Sequence, residues 1–291
     1  METTLSQTSA PGGDIGTIAA TPLSTAIGAE IVGVDLRTPL DDARFEWILK
    51  AWHRHCVLLF RDQRLENEDQ LRFAGRFGEL SKIINKHSTI SGHPSVMLVS
   101  NIRQDGQLIG ALPDGEMYFH SDQCYVEQPS KATTLYAVEI PRQGGNTLFA
   151  NMYAAYETLP ADVKRQIDRR KAVNVYDYAN NPTVRGSTIR EGVPHYAHPI
   201  VRTHPDTGRK CLFVNESFTT RIKDMKPRES DAVLKFLFEH ATRPDFCQRF
   251  TTQTGQVLIW DNRCTQHTPI ADYVGRRVLH RVSVMETRRP A

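Results

Sequence analysis

The chain has 291 residues, of which 40% are hydrophobic and 24% are charged, so it has enough apolar material for the core of a soluble globular protein. The net charge is only +3 with the histidines counted as neutral, and the basic residues are scattered, which argues against a nucleic-acid-binding protein. Because no run of about 18 apolar residues occurs, we also expect no membrane-spanning helix.

The N-terminal residues and the cysteines give expectations about organisation and location. Residues 1–15 are rich in Ser, Thr and Gly and lack the apolar segment of a signal peptide. We therefore predict a disordered tail followed by a single domain over residues 16–291. The five cysteines are widely spaced, odd in number and form no CxxC pair, which argues against a disulfide framework. We expect a cytoplasmic protein that forms a homo-oligomer.

Four segments have the spacing of apolar residues that is typical of helices that pack against a core. The first, residues 41–53, begins at Asp41 or Asp42, either of which can cap it. The other predicted helices are residues 66–77, 152–170 and 227–242.

Most of the remaining chain has the pattern of short strands. The predicted strands are residues 31–34, 56–60, 96–100, 132–138, 212–215, 256–260 and 278–285. Turns rich in Gly, Pro and Asn separate them, and they do not alternate regularly with helices, which argues against a doubly wound parallel sheet. The pattern favours a mainly β fold of sandwich or jelly-roll type with flanking helices.

One short segment predicts a metal site. In a strand, residues two apart point to the same face, so His120 and Asp122 can bring an imidazole and a carboxylate to one ion. His267, which follows an apolar strand and then a polar turn, can supply a third ligand. Two histidines and one carboxylate on one side of an ion are typical of non-haem iron(II) oxygenases. A HxD pair alone is a weak signal, because most such pairs lie on the surface or are hydrogen-bonded in a core.

Two arginines follow His267 on a predicted strand. Arg277 and Arg281 have the same parity, so both guanidinium groups can face one cavity, where arginine is suited to binding a carboxylate in bidentate fashion. The pattern is equally compatible with both arginines lying on a solvated face while the neighbouring valines pack in the core.

Over residues 31 to about 286 the sequence resembles a known family, and the resemblance rests on several ordered blocks. They are residues 60–63 (FRDQ), 76–80 (RFGEL), 120–122 (HSD), 144–152 (GGNTLFANM), 198–205 (HPIVRTHP), 213–216 (FVNE) and 260–267 (WDNRCTQH). In these blocks the chain is similar to the taurine dioxygenase/TfdA-like family of iron(II)- and 2-oxoglutarate-dependent dioxygenases. The resemblance implies a double-stranded β-helix, the jelly roll of cupin-like proteins.

The resemblance also implies site residues and co-substrates. His120, Asp122 and His267 match the ligands of Fe(II), which would use 2-oxoglutarate and O2 as co-substrates and release succinate and CO2. The 2-oxoglutarate would be held by Thr147 and Arg277 at its distal carboxylate, with Arg281 nearer the iron. This chain is one residue shorter than the taurine enzyme between His267 and the arginine strand, so a slip onto Arg276 is an alternative.

The same comparison argues against taurine as the substrate. Ile83 and Lys86 stand where the taurine-specific member has a histidine and a tyrosine, and Glu116 stands where it has an asparagine. We therefore expect a different small organic substrate, anionic in character, which is hydroxylated and in some cases thereby cleaved. Further candidate pocket walls, each of which could also be a core aromatic, are Tyr118, Tyr125 and Phe218.

Two other functions use the same residues. A non-catalytic jelly-roll sensor could bind a metal or ligand without turnover, and a zinc hydrolase could use the same three ligands. Neither has a reason to keep Thr147 and two arginines as a carboxylate-binding set, so we expect the dioxygenase.

Overall fold

The computed structural model describes residues 17–83, 88–111, 118–176 and 189–291. The predicted tail at residues 1–15 and the predicted pocket residues Lys86 and Glu116 lie outside these ranges.

More than half of the described residues lie in helices or strands. The helices are α1 (Asp42–His55), α2 (Asn67–Gly75), α3 (Met152–Glu157), α4 (Ala161–Ile167) and α5 (Pro227–Ala241), with a 3-10 helix at Pro244–Phe246. The strands are β1 (Ala19–Pro22), β2 (Ala29–Val32), β3 (Val57–Phe60), β4 (Thr89–Ile90), β5 (His93–Ser100), β6 (Arg103–Gln104), β7 (Gln107–Leu108), β8 (Ser130–Glu139), β9 (Thr147–Asn151), β10 (Lys171–Val175), β11 (His195–Pro199), β12 (Val201–Thr203), β13 (Lys210–Leu212), β14 (Thr219–Ile222), β15 (Cys247–Phe250), β16 (Val257–Asp261), β17 (Thr265–Pro269) and β18 (Val278–Met285). The protein is therefore mainly β with a few helices, as the sequence predicts.

An eight-stranded sheet is the largest unit of the fold. Its strand order is β1-β2-β3-β16-β8-β18-β5-β4, and every pair is antiparallel except β2 with β3. A three-stranded sheet, β15-β9-β17, contributes to the same core. Smaller units of two or three strands, β11-β10-β14, β12-β13 and β6-β7, complete the described sheets.

Both faces of the large sheet are buried, and alternation along its strands divides the core in two. On β16, Leu258 and Trp260 belong to one hydrophobic cluster, together with Phe149 of β9. Val257 and Ile259, the alternate residues of β16, belong to a second cluster formed with α1 and α2. A cavity lined by Leu135, Thr147 and Trp260 lies on the first face, between the large sheet and the three-stranded sheet.

The predicted helices are confirmed at α1, α2 and α5, but the predicted helix over residues 152–170 is wrong. Asp41 caps α1 through a hydrogen bond from the Arg44 backbone N–H. Residues 152–170 instead form α3 and α4, separated by Thr158, Leu159 and Pro160. Proline lacks a backbone N–H and disfavours helical geometry in the residue before it, so the chain turns there.

Two of the predicted strands differ most from the structure. The segment predicted at residues 31–34 ends as a strand at Val32, because Gly33 has a φ of 81°. Of the segment predicted at residues 212–215, only its first residue belongs to a strand, β13. Within the described ranges, no helix is both long and apolar enough to cross a membrane.

Candidate active site

Two histidines and one aspartate meet in the buried interior. Ligand atoms of His120, Asp122 and His267 all lie within 4.8 Å of one another. Asp122 Oδ1 is 3.7 Å from His120 Nε2 and 3.9 Å from His267 Nε2. All three residues are buried, with at most 8% of their surface exposed. When three potential metal ligands face one point in a protein interior, a bound divalent ion stabilises the arrangement.

The backbone fixes the two histidines relative to each other. His120 and His267 form an antiparallel bridge in which the N–H of each donates to the carbonyl of the other, at 3.0 and 2.9 Å. His267 belongs to β17, whereas Asp122 lies in a turn rather than in the strand that its spacing predicts. The side chains still converge because Ser121 Oγ donates to the Thr265 carbonyl and holds this turn against β17.

Hydrogen bonding selects the tautomer of His120. Its Nδ1 is 3.0 Å from the Tyr118 carbonyl oxygen, which can only accept a hydrogen bond. The Nδ1 atom therefore carries the proton, and the lone pair of Nε2 is directed toward Asp122. A carbonyl partner of this kind orients imidazole ligands in metal sites.

The charge state of the three residues suits a cation. Burial lowers the pKa of His120, although Asp122 opposes the shift. Burial and the neighbouring imidazole lower the pKa of His267 well below its ordinary value. Burial alone would raise the pKa of Asp122, but the Arg281 guanidinium, the two imidazoles and the Thr133 hydroxyl together lower it. At neutral pH the site thus presents two uncharged imidazoles and one carboxylate, the forms that bind metal ions.

A cavity adjoins the three residues and contains both predicted arginines. Besides the metal-site candidates it is lined by Val99, Leu135, Thr147, Trp260, Pro269, Arg277, Leu279 and Arg281. The cavity is lined from one face of the β18 segment by Arg277, Leu279 and Arg281. The two arginines therefore face a cavity, as one of the two alternatives from the sequence predicts, and do not lie on a solvated face. The cavity combines apolar walls with two cations, which is the composition expected of a site for a small anion.

Arg276 and Arg277 occupy opposite environments. The Arg276 side chain is 63% exposed and pairs with Glu139 on the surface, at 3.0 Å. Arg277 is 5% exposed and its buried Nε has no hydrogen-bond partner. Burial lowers the pKa of Arg277, although a hydrogen bond with the Tyr273 side chain opposes the shift. Over the described ranges we find no carboxylate in ion-pair distance of Arg277. A buried guanidinium without a counter-ion is costly, so this position favours an anionic ligand.

Arg281 differs from Arg277 because it already has a partner. Its Nη2 is 2.8 Å from Asp122 Oδ1, the oxygen that faces the two imidazoles. Its buried Nε has no partner. Arg281 therefore lies at the metal-site end of the cavity, whereas Arg277 lies beside Gly145 and Tyr273.

Sequence reasoning missed the residues that hold the second oxygen of Asp122. Thr133 Oγ1 donates to Asp122 Oδ2 at 2.6 Å, and Asn262 Nδ2 donates to Thr133 Oγ1 at 2.9 Å. Thr133 is an ordinary strand residue by pattern, and its role depends on the pairing of β8 with β16. The WDNR block contains Asn262, and this was the one signal available.

The predicted pocket aromatics lie in different surroundings. Phe218 packs edge-on against His120, with ring centroids 5.8 Å apart, and Tyr125 packs against Phe218. Tyr118 is 49% exposed, although its backbone carbonyl binds His120. Ile83 is partly exposed in the segment after α2.

A second cluster of potential metal ligands consists of His204, Asp261 and Cys264. Two of these side chains are bound by other groups of the protein. Arg263 binds both oxygens of Asp261, at 2.8 and 2.7 Å, and His204 Nε2 is 2.9 Å from Asp261 Oδ2. His204 Nδ1 accepts hydrogen bonds from two backbone N–H groups. The imidazole and the carboxylate are thus already engaged within the protein.

Comparison with known proteins agrees with this geometry. Residues 19–283 match the sequence model of the taurine catabolism dioxygenase TauD, TfdA family. The chain belongs to the TauD/TfdA family. The match covers all three metal-ligand candidates, Thr147 and both arginines.

Relatives in the TauD/TfdA family act on different compounds. An alpha-ketoglutarate-dependent sulfate ester dioxygenase of Pseudomonas putida is 36% identical over 90% of this chain and 88% of its own length. The (S)-phenoxypropionate/alpha-ketoglutarate-dioxygenase of Sphingobium herbicidovorans is 30% identical over 84% of this chain and 87% of its own.

Solved structures of the TauD/TfdA family share the fold. A taurine dioxygenase from Burkholderia xenovorans superposes with a TM-score of 0.81 at 35% identity, covering 95% of this chain and 91% of its own. The structure of AAD-2 in complex with Mn(II) and N-oxalylglycine also gives a TM-score of 0.81, at 29% identity, covering 95% of this chain and 99% of its own. The chain is therefore an enzyme of the alpha-ketoglutarate-dependent dioxygenase class, with a sheet-rich fold.

Proposed function

We propose that the protein is an iron(II)- and 2-oxoglutarate-dependent dioxygenase that hydroxylates a small organic anion. The observation that carries the proposal is the cavity in which two imidazoles and a carboxylate converge beside a buried arginine without a counter-ion. We further propose that residues 16–291 form one domain and that the two facing sheets form a double-stranded β-helix. The location in the cytoplasm and the homo-oligomeric state stay predictions from the sequence.

The proposed roles follow from the position of each side chain. His120, Asp122 and His267 would hold Fe(II), because two imidazoles and one carboxylate leave positions open for other ligands. Bound iron supplies the activation of oxygen for attack on a C–H bond. Thr147 and Arg277 would bind the distal carboxylate of 2-oxoglutarate within the apolar walls of the cavity, and these walls exclude water.

Arg281 would serve the end of the cavity nearest the metal. Its Nη2 pairs with Asp122 Oδ1, whereas its buried Nε has no partner and is left to meet the co-substrate or an anionic substrate. The relatives that act on sulfate esters and phenoxypropionate are consistent with an anionic substrate. Hydroxylation of a carbon bonded to a heteroatom would give an unstable product. This product would then break at the bond between the carbon and the heteroatom.

The pocket candidates support a substrate other than taurine. Phe218 and Tyr125 place aromatic surface beside His120, which suits a substrate with an apolar body. Ile83 offers no polar group to a sulfonate.

The test combines metal binding with succinate formation. His120→Ala and Asp122→Ala should abolish 2-oxoglutarate turnover and weaken Mn(II) binding while leaving the circular dichroism spectrum unchanged, because both side chains face the site rather than the core. Turnover should be measured with taurine, alkyl sulfate esters and phenoxy acids, and we expect taurine to be the poorest of the three. Near-wild-type succinate formation by either variant under limiting iron would contradict the assignment of the ligands.

The alternatives of a sensor and a zinc hydrolase are separated by the same assay. A zinc enzyme would be active with zinc and independent of 2-oxoglutarate, and a sensor would bind Mn(II) without producing succinate with any substrate.

A further inference from the structure

A chain of hydrogen bonds connects the metal-site carboxylate to the large sheet. Thr133 Oγ1 donates to Asp122 Oδ2 at 2.6 Å, and Asn262 Nδ2 donates to Thr133 Oγ1 at 2.9 Å. Asn262 Oδ1 accepts from Trp260 Nε1 at 3.0 Å and from the Asp122 backbone N–H at 3.2 Å. Thr133 is fully buried and Asn262 is 1% exposed, so water does not compete with these bonds.

The direction of every hydrogen bond in this network is determined by the chemistry of its groups. Trp260 Nε1 and the Asp122 N–H can only donate, so the Asn262 atom that they meet must be the carbonyl oxygen. The Asn262 amide nitrogen consequently faces Thr133 and donates to it. The hydroxyl has one proton, and this proton goes to the Asp122 carboxylate, which can only accept. The network therefore has a single arrangement of donors and acceptors.

The network fixes which oxygen of Asp122 faces the imidazoles. Oδ2 accepts the Thr133 hydroxyl, while Oδ1 is the oxygen near His120 Nε2 and His267 Nε2 and is 2.8 Å from Arg281 Nη2. Asp122 lies in a turn, so its own backbone does not place it with the regularity of a strand. Thr133 does lie in a strand: it pairs with Trp260 of β16 on one side and with Ser283 of β18 on the other.

We propose that Thr133 and Asn262 are positioning residues that hold Asp122 as a one-oxygen metal ligand. This inference rests on the proposed function, because it takes the three converging side chains as the metal site. The rigid centre of the large sheet supplies the orientation that the turn cannot, and the ion meets a carboxylate that is already in place. Outer partners of this kind typically contribute 10- to 100-fold to metal affinity.

The experiment compares two neighbouring threonines. Thr133→Val keeps the β-branched shape and removes only the hydroxyl, and Thr133→Ser restores the hydroxyl. Thr134→Val is the matched control, because Thr134 is also fully buried and its hydroxyl accepts a hydrogen bond from Gln70, on the face of β8 that carries the second core. For each variant, Mn(II) affinity is measured by titration followed by electron paramagnetic resonance, and Tm is measured in chelator.

We expect Thr133→Val to weaken Mn(II) binding about 10- to 100-fold and Thr133→Ser to recover most of that loss. Thr134→Val should bind Mn(II) like the wild type, even where its Tm falls as far as that of Thr133→Val. Asn262→Ala should weaken Mn(II) binding as well, and the double variant with Thr133→Val should lose less affinity than the sum of the two single losses, because Asn262 acts partly through Thr133.

Three outcomes would overturn the inference. One is wild-type Mn(II) affinity in Thr133→Val, and another is an equal loss in Thr134→Val, which would indicate a general effect of stability. The third is an additive loss in the double variant. If the wild type itself bound no Mn(II) and produced no succinate, the proposed function would fail and the inference with it.

Discussion

Arg276 and Arg277 show how one position along the chain decides the role of a residue. They have the same side chain, yet Arg276 forms a surface ion pair with Glu139 while Arg277 is buried in the cavity. A surface ion pair contributes little to stability, whereas a charge-assisted bidentate contact in a buried site contributes about 1.5–3 kcal/mol.

Replacing these two arginines separates the two possible registers. Arg277→Leu should raise the KM for 2-oxoglutarate about 10- to 100-fold, because the anion loses its bidentate partner. Arg277→Lys should recover part of the loss, since an ammonium cannot form the fork. Arg276→Leu is the matched control and should leave the KM unchanged. Steady-state succinate formation at varied 2-oxoglutarate measures all three, and the reverse pattern would place the co-substrate on Arg276.

At the scale of residues, the sequence predicted the groups with distinctive chemistry. His120, Asp122, His267 and the arginine pair could be named because few residue types bind metals or carboxylates. Thr133 could not be named, because a threonine in a strand gives no sign of what its hydroxyl contacts until the neighbouring strands are known.

Among elements, the turn before β9 positions the arginine end of the cavity. Gly144 has a φ of 77°, and a Cβ at this position would lie 2.2 Å from the Asp272 carbonyl oxygen. Asp272 Oδ1 in turn accepts a hydrogen bond from the Gly145 N–H, and Gly145 lies against Arg277. The two loops that flank Thr147 and Arg277 therefore meet at a contact that only glycine allows.

Gly144→Ala should accordingly disturb both stability and co-substrate binding. Gly208 is a matched control, because its φ is 70° and a Cβ there would meet no atom within 4 Å. Gly208→Ala should cost about 1–2 kcal/mol from backbone strain alone. Gly144→Ala should cost more, and it should also raise the KM for 2-oxoglutarate. Urea unfolding and succinate kinetics give the two quantities, and equal effects of the two substitutions would show that the contact with Asp272 is unimportant.

The sequence predicted the long elements better than the connections. Helix α1 has a side-chain cap at Asp41, α5 begins at Pro227, and both have apolar stripes, so their predicted bounds are close to those observed. The segment around Pro160 was predicted as helix because its apolar spacing continues on both sides of the proline. Strand order could not be predicted, because partners such as β8 and β18 are far apart in the chain and pair through tertiary packing.

The molecule as a whole should lose stability in mild acid. His198 is buried, its Nε2 is 2.8 Å from the Val126 carbonyl, and burial lowers its pKa to about 4. In the unfolded chain its pKa is about 6.5, so the unfolded state binds more protons below that pH. The contribution of His198 to stability is complete above pH 6.5 and is lost as the pH falls toward 4, by up to about 3 kcal/mol.

A pH series of denaturant unfolding tests this effect. His198→Gln keeps a donor for the Val126 carbonyl but cannot titrate, so the difference in free energy of unfolding between wild type and variant should change between pH 6.5 and 4. His195→Gln, at an exposed position on the same strand, should parallel the wild type. A constant difference for His198→Gln across this range would contradict the assignment.

The bridge between His120 and His267 has a consequence for folding kinetics. It joins two residues separated by about half of the chain, and contacts of such long range form only after a large loop has closed. The proposed ligand set is therefore absent from any species in which only neighbouring segments have folded, and it is completed when the sheets assemble. A newly synthesised chain would thus complete the proposed metal site late in folding, after its two halves have met.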